Sequence, residues 1–240
     1  MVQVEIVDRP ERARDLAQVL MAVWGGAEPI PPDVIIAIIH AGGYASLASR
    51  VINGAQQIVG GSLGIVGNGD RKLHSHVTGV INKATNSGVG RALKEHQWQW
   101  AKENELAAIS WTFDPLVRRN AHFNLVVLGA TVTRYNRNYY GDIDDAINSG
   151  DLTDRLVVER QVAGLSTAPC GKICVASSDD LTINTPDDIV ELRRCDRASS
   201  DRWRQEQRAS FEAAFSDSRK VRGFTSDGSY ILSTLGKHVL

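Results

Sequence analysis

Apolar positions along the chain switch between two periods, and the switches mark its elements. Val2, Val4 and Ile6 alternate with Gln3 and Glu5 and predict a half-buried strand through Val7. From Pro10 onward Leu16, Val19, Leu20 and Val23 recur at helical spacing until Gly25-Gly26. After the stiff linker Glu28-Pro29-Ile30-Pro31-Pro32, Pro32-Asp33 opens a second, short helix over Val34 to Ala41. Tyr44 to Ile52 and Gln56 to Val66 flank Asn53-Gly54, whose tolerance of positive φ predicts a tight hairpin. Gly60, Gly61 and Gly64 inside the second strand predict a bulge or a close backbone approach. Leu73 to Ile81 reads as a strand and Asn82 to Ser87 as a polar loop. A helix then opens on Gly88-Val89-Gly90-Arg91, carries Val89, Leu93, His96 and Trp100 on one face and breaks at Asn104.

The pattern continues with a strand over Ala107 to Phe113, ended by Asp114-Pro115, and a helix over Val117 to Leu128 closed by Gly129. Thr131 to Tyr135 and Arg155 to Val162 read as two further strands, joined by a polar segment with Tyr139-Tyr140-Gly141 and a short helix around Asp144 to Asn148. Beyond residue 163 the character changes. Thr185-Pro186-Asp187-Asp188 opens a helix through Leu192, and Ser200 to Phe215 places Trp203, Phe211, Ala214 and Phe215 on one helical face. Val221 to Phe224 and Tyr230 to Leu235 predict a closing hairpin. The expectation is an α/β fold with a mixed sheet over residues 1–162 and an α+β extension over 163–240.

Composition narrows the partners. The 240 residues, 42% hydrophobic and 23% charged, are ordinary for a globular chain, and a net charge of -1 provides no broad footprint for nucleic acid. No apolar run approaches the roughly 18 residues of a membrane span, and the N-terminus lacks a basic, then apolar, leader. A cytoplasmic protein acting on a small ligand is expected. Of the three cysteines, Cys170, Cys174 and Cys195, the first two are spaced for neither a redox pair nor a zinc knuckle and read as inert thiols.

Candidate chemistry concentrates around the central loop. Glycines at a helix entry let backbone N–H groups and the helix dipole meet an anion. A dinucleotide fingerprint needs a third glycine where Leu93 stands, and a Walker loop needs Gly-Lys-Ser/Thr where Gly90-Arg91-Ala92 stands. Both fail. His74, His76 and Thr78 fall at period two and are expected on one strand face, where an imidazole either takes a proton from an amine or fills a structural hydrogen bond. Nearby residues supply no third and fourth metal ligand, so no metal is expected. Asp114 either binds an amine or caps the following helix, and Arg118 and Arg119 either meet phosphates or form a solvated first turn. Asn124, one turn after Asn120, is a polar site group or ordinary helix polarity.

The strand, the Asn86-Ser87-Gly88-Val89-Gly90-Arg91 loop and helix, the next strand, Asn120-Ala121, and a helix ending in Leu128-Gly129-Ala130 resemble motifs A and B of the GNAT N-acetyltransferases. The resemblance spans roughly residues 2–162. Longer strings (His74-Ser75-His76, Trp111-Thr112-Phe113-Asp114-Pro115-Leu116, Arg118-Arg119-Asn120-Ala121 and Tyr139-Tyr140-Gly141), with a tail carrying Trp203-Arg204 and Phe211, resemble a group of bacterial predicted acetyltransferases. The resemblance implies acetyl-CoA, or another acyl-CoA, as co-substrate in a V between two splayed strands. Its pyrophosphate would meet the N–H groups of Ser87, Gly88, Val89, Gly90 and Arg91. Gly79 and Val80 would line its pantetheine arm, with Asn120 opposite. Two departures stand out: Thr85 and Asn86 replace the family's Arg/Gln and glycine, and Leu125 replaces the tyrosine that protonates the leaving thiolate in many members. The expected roles are therefore His76 as base, Tyr140 or Tyr139 as acid, and the Val80 N–H at the oxyanion. His74, Thr78, Asp114 and Asn124 would contact a small-molecule amine. The extension would close over the acceptor or form a homodimer contact. The alternative is a GNAT-fold protein that binds acyl-CoA without turning it over.

Overall fold

A computed structural model describes residues 1–24, 30–67, 69–81, 84, 87–141 and 152–234. Gly25-Gly26, Glu28-Pro29, Asn82, Thr85, Asn86, the helix expected around Asp144 to Asn148, and Leu235 lie outside the described residues. The chain divides into two compact units, residues 1–111 with 161–168 and residues 112–160 with 169–240.

The first unit contains β1 (Val2–Ile6), α1 (Pro10–Trp24), α2 (Pro32–His40), β2 (Tyr44–Ile52), β3 (Ala55–Val66), β4 (Lys72–Val80), α3 (Val89–Glu103) and the first four residues of β5 (Ala108–Phe113). Strands β1 to β4 form an antiparallel meander. The Asn53-Gly54 turn forms as predicted, both residues at positive φ. Parallel β5 then adds to β4. Helices cover both faces, so the strands carry apolar residues on both sides. Leu16, Leu20 and Ile35 pack with Leu47 and Leu63 on one face. Val89 and Leu93 of α3 pack with Ala48 and Val59 on the other. Residues 161–168 return to this unit: Trp98 Nε1 donates to the Gln161 carbonyl at 2.8 Å and Lys102 Nζ to that of Ser166 at 2.8 Å.

The second unit begins with Thr112 and Phe113 of β5 and continues through α4 (Arg118–Ala121), which passes directly into a π-helical turn, His122–Val127. Then come β6 (Thr131–Asn136), β7 (Arg155–Gln161), β8 (Leu181–Asn184), α5 (Ile189–Cys195), α6 (Arg197–Ser216), β9 (Arg219–Phe224) and β10 (Ser229–Thr234). Strand β7 lies between β5 and β6, and the last three strands form a separate sheet in the order β8-β10-β9. Its core is aromatic: Phe211 stacks on Tyr135 at 5.2 Å and meets Tyr230 edge-on at 5.2 Å, and the Tyr230 hydroxyl donates to the Pro115 carbonyl at 2.8 Å.

Three expectations change here. The helix read from Thr185-Pro186 through Leu192 begins instead at Ile189 and runs to Cys195, because the Asp188 side chain accepts from the Val190 and Glu191 N–H groups and caps it. The regular helix predicted over Val117 to Leu128 gives way to the π turn, against whose Leu125 carbonyl Gly171 packs so closely that any side chain at 171 would collide with it. The helix predicted from Ser200 starts at Arg197, because the Asp196 side chain accepts from the Ser199 N–H at 3.0 Å and caps it.

Candidate functional site

Strands β4 and β5 pair only at Lys72↔Ala108, Leu73↔Ile109 and His74↔Ser110. Beyond His74, β4 continues to Val80 with β3 as its partner, while its other edge parts from β5. The result is a fork, with its apex at Ser75 and Trp111. The Ile81 N–H donates to the Val59 carbonyl on the β3 side at 2.9 Å, so alternation along the ladder turns the N–H groups of Val80 and Thr78 toward the open edge.

The fork contains a bulge. Leu63 faces Val77 and Gly64 faces Ser75, which leaves His76 as the extra residue. The bulge corrects the expectation that His74, His76 and Thr78 share one face. Ser75 and Thr78 both turn toward α3, where the Thr78 hydroxyl lies 2.8 Å from the Ser62 hydroxyl. His74 is half-buried and His76 exposed, with ring centroids 6.2 Å apart. Burial lowers the His74 imidazole below the ordinary histidine range, with the charges of His76 and Lys94 adding to the effect; His76 is shifted the same way by the protein atoms around its ring, although its side chain reaches solvent. Both rings are therefore predominantly neutral at pH 7.

Downstream of β4, α3 begins without a side-chain cap. Gly88 occupies the N-cap position in the left-handed region (φ 82°), and nothing lies within 4 Å of where its Cβ would stand. The first intrahelical bond runs from the Ala92 N–H to the Gly88 carbonyl at 2.9 Å. The N–H groups of Val89, Gly90 and Arg91 thus precede the helical ladder and are available to an anion. Ser87 turns its hydroxyl back to the Ala84 carbonyl, and the Arg91 side chain is exposed. Gly79 has a packing reason to be glycine: a Cβ there would stand 2.6 Å from the Trp24 ring. Val80 packs beside Val89 and Leu93.

No protein-family model and no curated protein matches the chain. Solved structures do. The ribosomal-protein-S18-alanine N-acetyltransferase from Escherichia coli superposes with a TM-score of 0.51 at 15% identity, covering 69% of this chain and 97% of that one. An acetyltransferase of GNAT family from Streptococcus pneumoniae gives 0.51 at 14%, covering 68% and 100%. The yncA protein of Salmonella typhimurium, solved with its cofactor acetyl-CoA, gives 0.54 at 13%, covering 70% and 98%. The chain has the GNAT acetyltransferase fold.

Within this GNAT fold the α3 face of the fork holds a residue that sequence reasoning missed. Lys94 is only 6% exposed. Its Nζ donates to the Ser75 hydroxyl at 2.7 Å and the Gln97 amide oxygen at 3.1 Å, and lies 4.2 Å from the centre of the Trp111 ring. Gln97 Nε2 in turn donates to the Ser62 hydroxyl at 3.2 Å. The signal was present in the sequence: Lys94 and Gln97 share a helical stripe with Trp98 and Ala101, both buried. The expected apolar face is correspondingly shifted, since His96 and Trp100 are half-buried and pack on Tyr44, whose hydroxyl lies 2.8 Å from His96 Nδ1.

The remaining predicted site residues belong to the second unit. Asp114 is 7% exposed and pairs with Arg193 and Arg204; Arg204 contacts its two oxygens at 3.0 and 2.8 Å. Burial pushes its carboxyl pKa up, but the charge and hydrogen bonds of Arg204, with Arg193 and Arg155, hold it well below the usual range. It also accepts from the Leu116 N–H at 3.0 Å, a local turn within the loop rather than the helix cap expected of it, since α4 opens at Val117 with no side-chain cap. Arg118 is engaged by Thr185 and Asp187. Asn120 is exposed in the first turn of α4 and Asn124 is buried in the π turn. Tyr139 and Tyr140 meet edge-on at 4.6 Å, and the Tyr140 hydroxyl lies 3.0 Å from that of Thr112. Their N–H groups donate to Thr153, Tyr139 to its carbonyl at 2.9 Å and Tyr140 to its hydroxyl at 3.0 Å. Among the described residues no group of three His, Cys, Asp or Glu is placed to hold a metal, and no helix is long and apolar enough to cross a membrane.

Proposed function

We propose that this chain is an acyl-CoA-dependent N-acyltransferase, moving an acetyl group from acetyl-CoA to the primary amine of a small molecule by direct attack in a ternary complex. The observation that carries this reading is the fork between β4 and β5, continued by the uncapped glycine entry of α3. The N–H groups of Ser87 to Arg91 suit a pyrophosphate. The open edge of β4 from Val80 back to Ser75 spans roughly 17 Å at about 3.3 Å per residue, a length that suits an extended pantetheine arm. The amine attacks the thioester carbonyl, His76 takes the proton the nitrogen loses, and the outward N–H of Val80 meets the developing oxyanion. The C–S bond then breaks and the departing thiolate takes a proton, for which Tyr140 or Tyr139 is the assigned donor. His74, Thr78, Asn120 and Asn124 keep their expected contacts to substrate or cofactor in this reading. Asp114 does not, since its carboxylate is committed to two guanidinium groups.

Isothermal calorimetry with acetyl-CoA and desulfo-CoA tests the reading; no binding of either at high concentration would sink it. A second reading, acyl-CoA binding without turnover, is favoured by Leu125, a buried apolar side chain where the resemblance calls for a tyrosine. Release of free thiol with a panel of amines separates the two, because a pure binder saturates and releases none.

A further inference from the structure

We infer that Lys94 is a positioning residue of the acyl-transfer site, its buried ammonium acting as the wedge that holds β4 and β5 apart at the apex of the fork. Pairing stops at His74↔Ser110, and the next residue on each strand is the one that Lys94 touches: Ser75 through its hydroxyl, Trp111 through its ring face. A lysine this buried is unusual, because removing an ammonium from water is unfavourable unless donors and charge are accommodated. An apolar side chain of similar length would fill the same volume. What it could not do is bind β4 and β5 individually while keeping their backbones from meeting.

The polar row continues along the stretch of β4 that has left β5. Lys94 and Gln97 of α3 hold Ser75 directly and Thr78 through Ser62, so the helix takes over part of the support a neighbouring strand normally gives. The Lys94 charge also reaches His74, which pairs with Ile65 on β3 and Ser110 on β5 and lies beside the His76 ring. The wedge therefore shapes the opening and disfavours protonation of a histidine beside it.

The functional part of this inference rests on the acyl-CoA reading; the structural part does not, and the test keeps them apart. In Lys94→Met, native-state hydrogen exchange is expected to slow at the amides of Ser75 to Thr78 by tenfold or more as the strands close, and acetyl-CoA affinity in calorimetry is expected to fall about tenfold. The NMR titration of His74 is expected to move upward. Lys94→Arg, which retains charge and donors, should keep all three near wild type, whereas a merely space-filling lysine would show no such rescue. Should Lys94→Met not fold, Ser75→Ala removes the anchor while keeping the charge, and should slow the same amides with His74 unmoved. Unchanged exchange in whichever variant folds overturns the wedge. Changed exchange together with unchanged acetyl-CoA affinity in Lys94→Met overturns its role in the site. If wild type binds neither acetyl-CoA nor desulfo-CoA, the acyl-CoA reading and that role fall together, while exchange and the His74 titration still decide the wedge.

Discussion

Two buried charges, one in each unit, are handled in opposite ways. Asp114 lies immediately after β5 and is gripped by Arg193 and by both oxygens' contacts to Arg204, charge against charge in a fork geometry. Lys94 lies beneath the parting of β4 and β5 and meets a hydroxyl, an amide oxygen and an indole face. The first arrangement fastens: its members come from β5's end, α5 and α6, and none moves without stranding the others. The second spaces: Ser75 stands on β4 and Trp111 on β5, while Gln97 belongs to α3, the helix of Lys94 itself. The carboxylate cluster joins the end of β5 to α5 and α6, whereas Lys94 reaches both strands at the point where their pairing ends.

The strongest challenge to this contrast is Asp114→Asn, which leaves two guanidinium groups buried without their carboxylate. A loss of about 3–5 kcal/mol in urea unfolding is expected, against less than about 1.5 kcal/mol for Lys94→Met, whose replacement is apolar and of similar length. Equal losses would end the distinction. Gly79→Ala comes next: a methyl group driven against Trp24 should remove about 1–3 kcal/mol, and calorimetry should show weaker acetyl-CoA binding because the shift falls on the open edge. Removing one neutral bond of the second unit, the Tyr230 hydroxyl to Pro115, should be milder. Tyr230→Phe is expected to lower stability by about 0.5–1.5 kcal/mol, read from the urea midpoint.

The smallest expected effects depend on pH and separate the units by window. Asp114 has a folded pKa below its unfolded value of about 3.9, so its contribution is complete above that value and disappears as pH falls through the folded pKa. His74 and His76 also have folded pKa values below the ordinary 6.5 or so. The unfolded chain then binds more protons, and stability declines as pH falls from about 6.5 toward the folded values. A His74→Gln/His76→Gln double variant should flatten denaturant midpoints across that upper window and leave the acid limb unchanged.

Much of the framework was legible in the chain. Asn53-Gly54 marked the hairpin through its backbone freedom, and Gly88 at the head of an apolar helical stripe marked where α3 begins without a side-chain cap. What could not be read were properties set by pairing. Where β5 stops following β4 depends on side chains from a third element, so no local pattern announces the fork. The bulge at His76 moved Thr78 off the face that strict alternation assigned, because one inserted residue reverses every position after it. Lys94 reads locally as a solvated charge and declares itself only beside Gln97, Trp98 and Ala101. Strand β8 escaped because four residues with mostly exposed side chains leave almost no periodic signal.

The open edge of β4 has a consequence for handling the protein. A strand that stops pairing partway offers outward N–H groups to any extended chain, so the edge proposed here for a thioester arm is also where one molecule can recruit another into an aggregate. A tenant in the notch would shield it. Coenzyme A in the storage buffer would then act as a guard against self-association, with turbidity on concentration as the simple gauge.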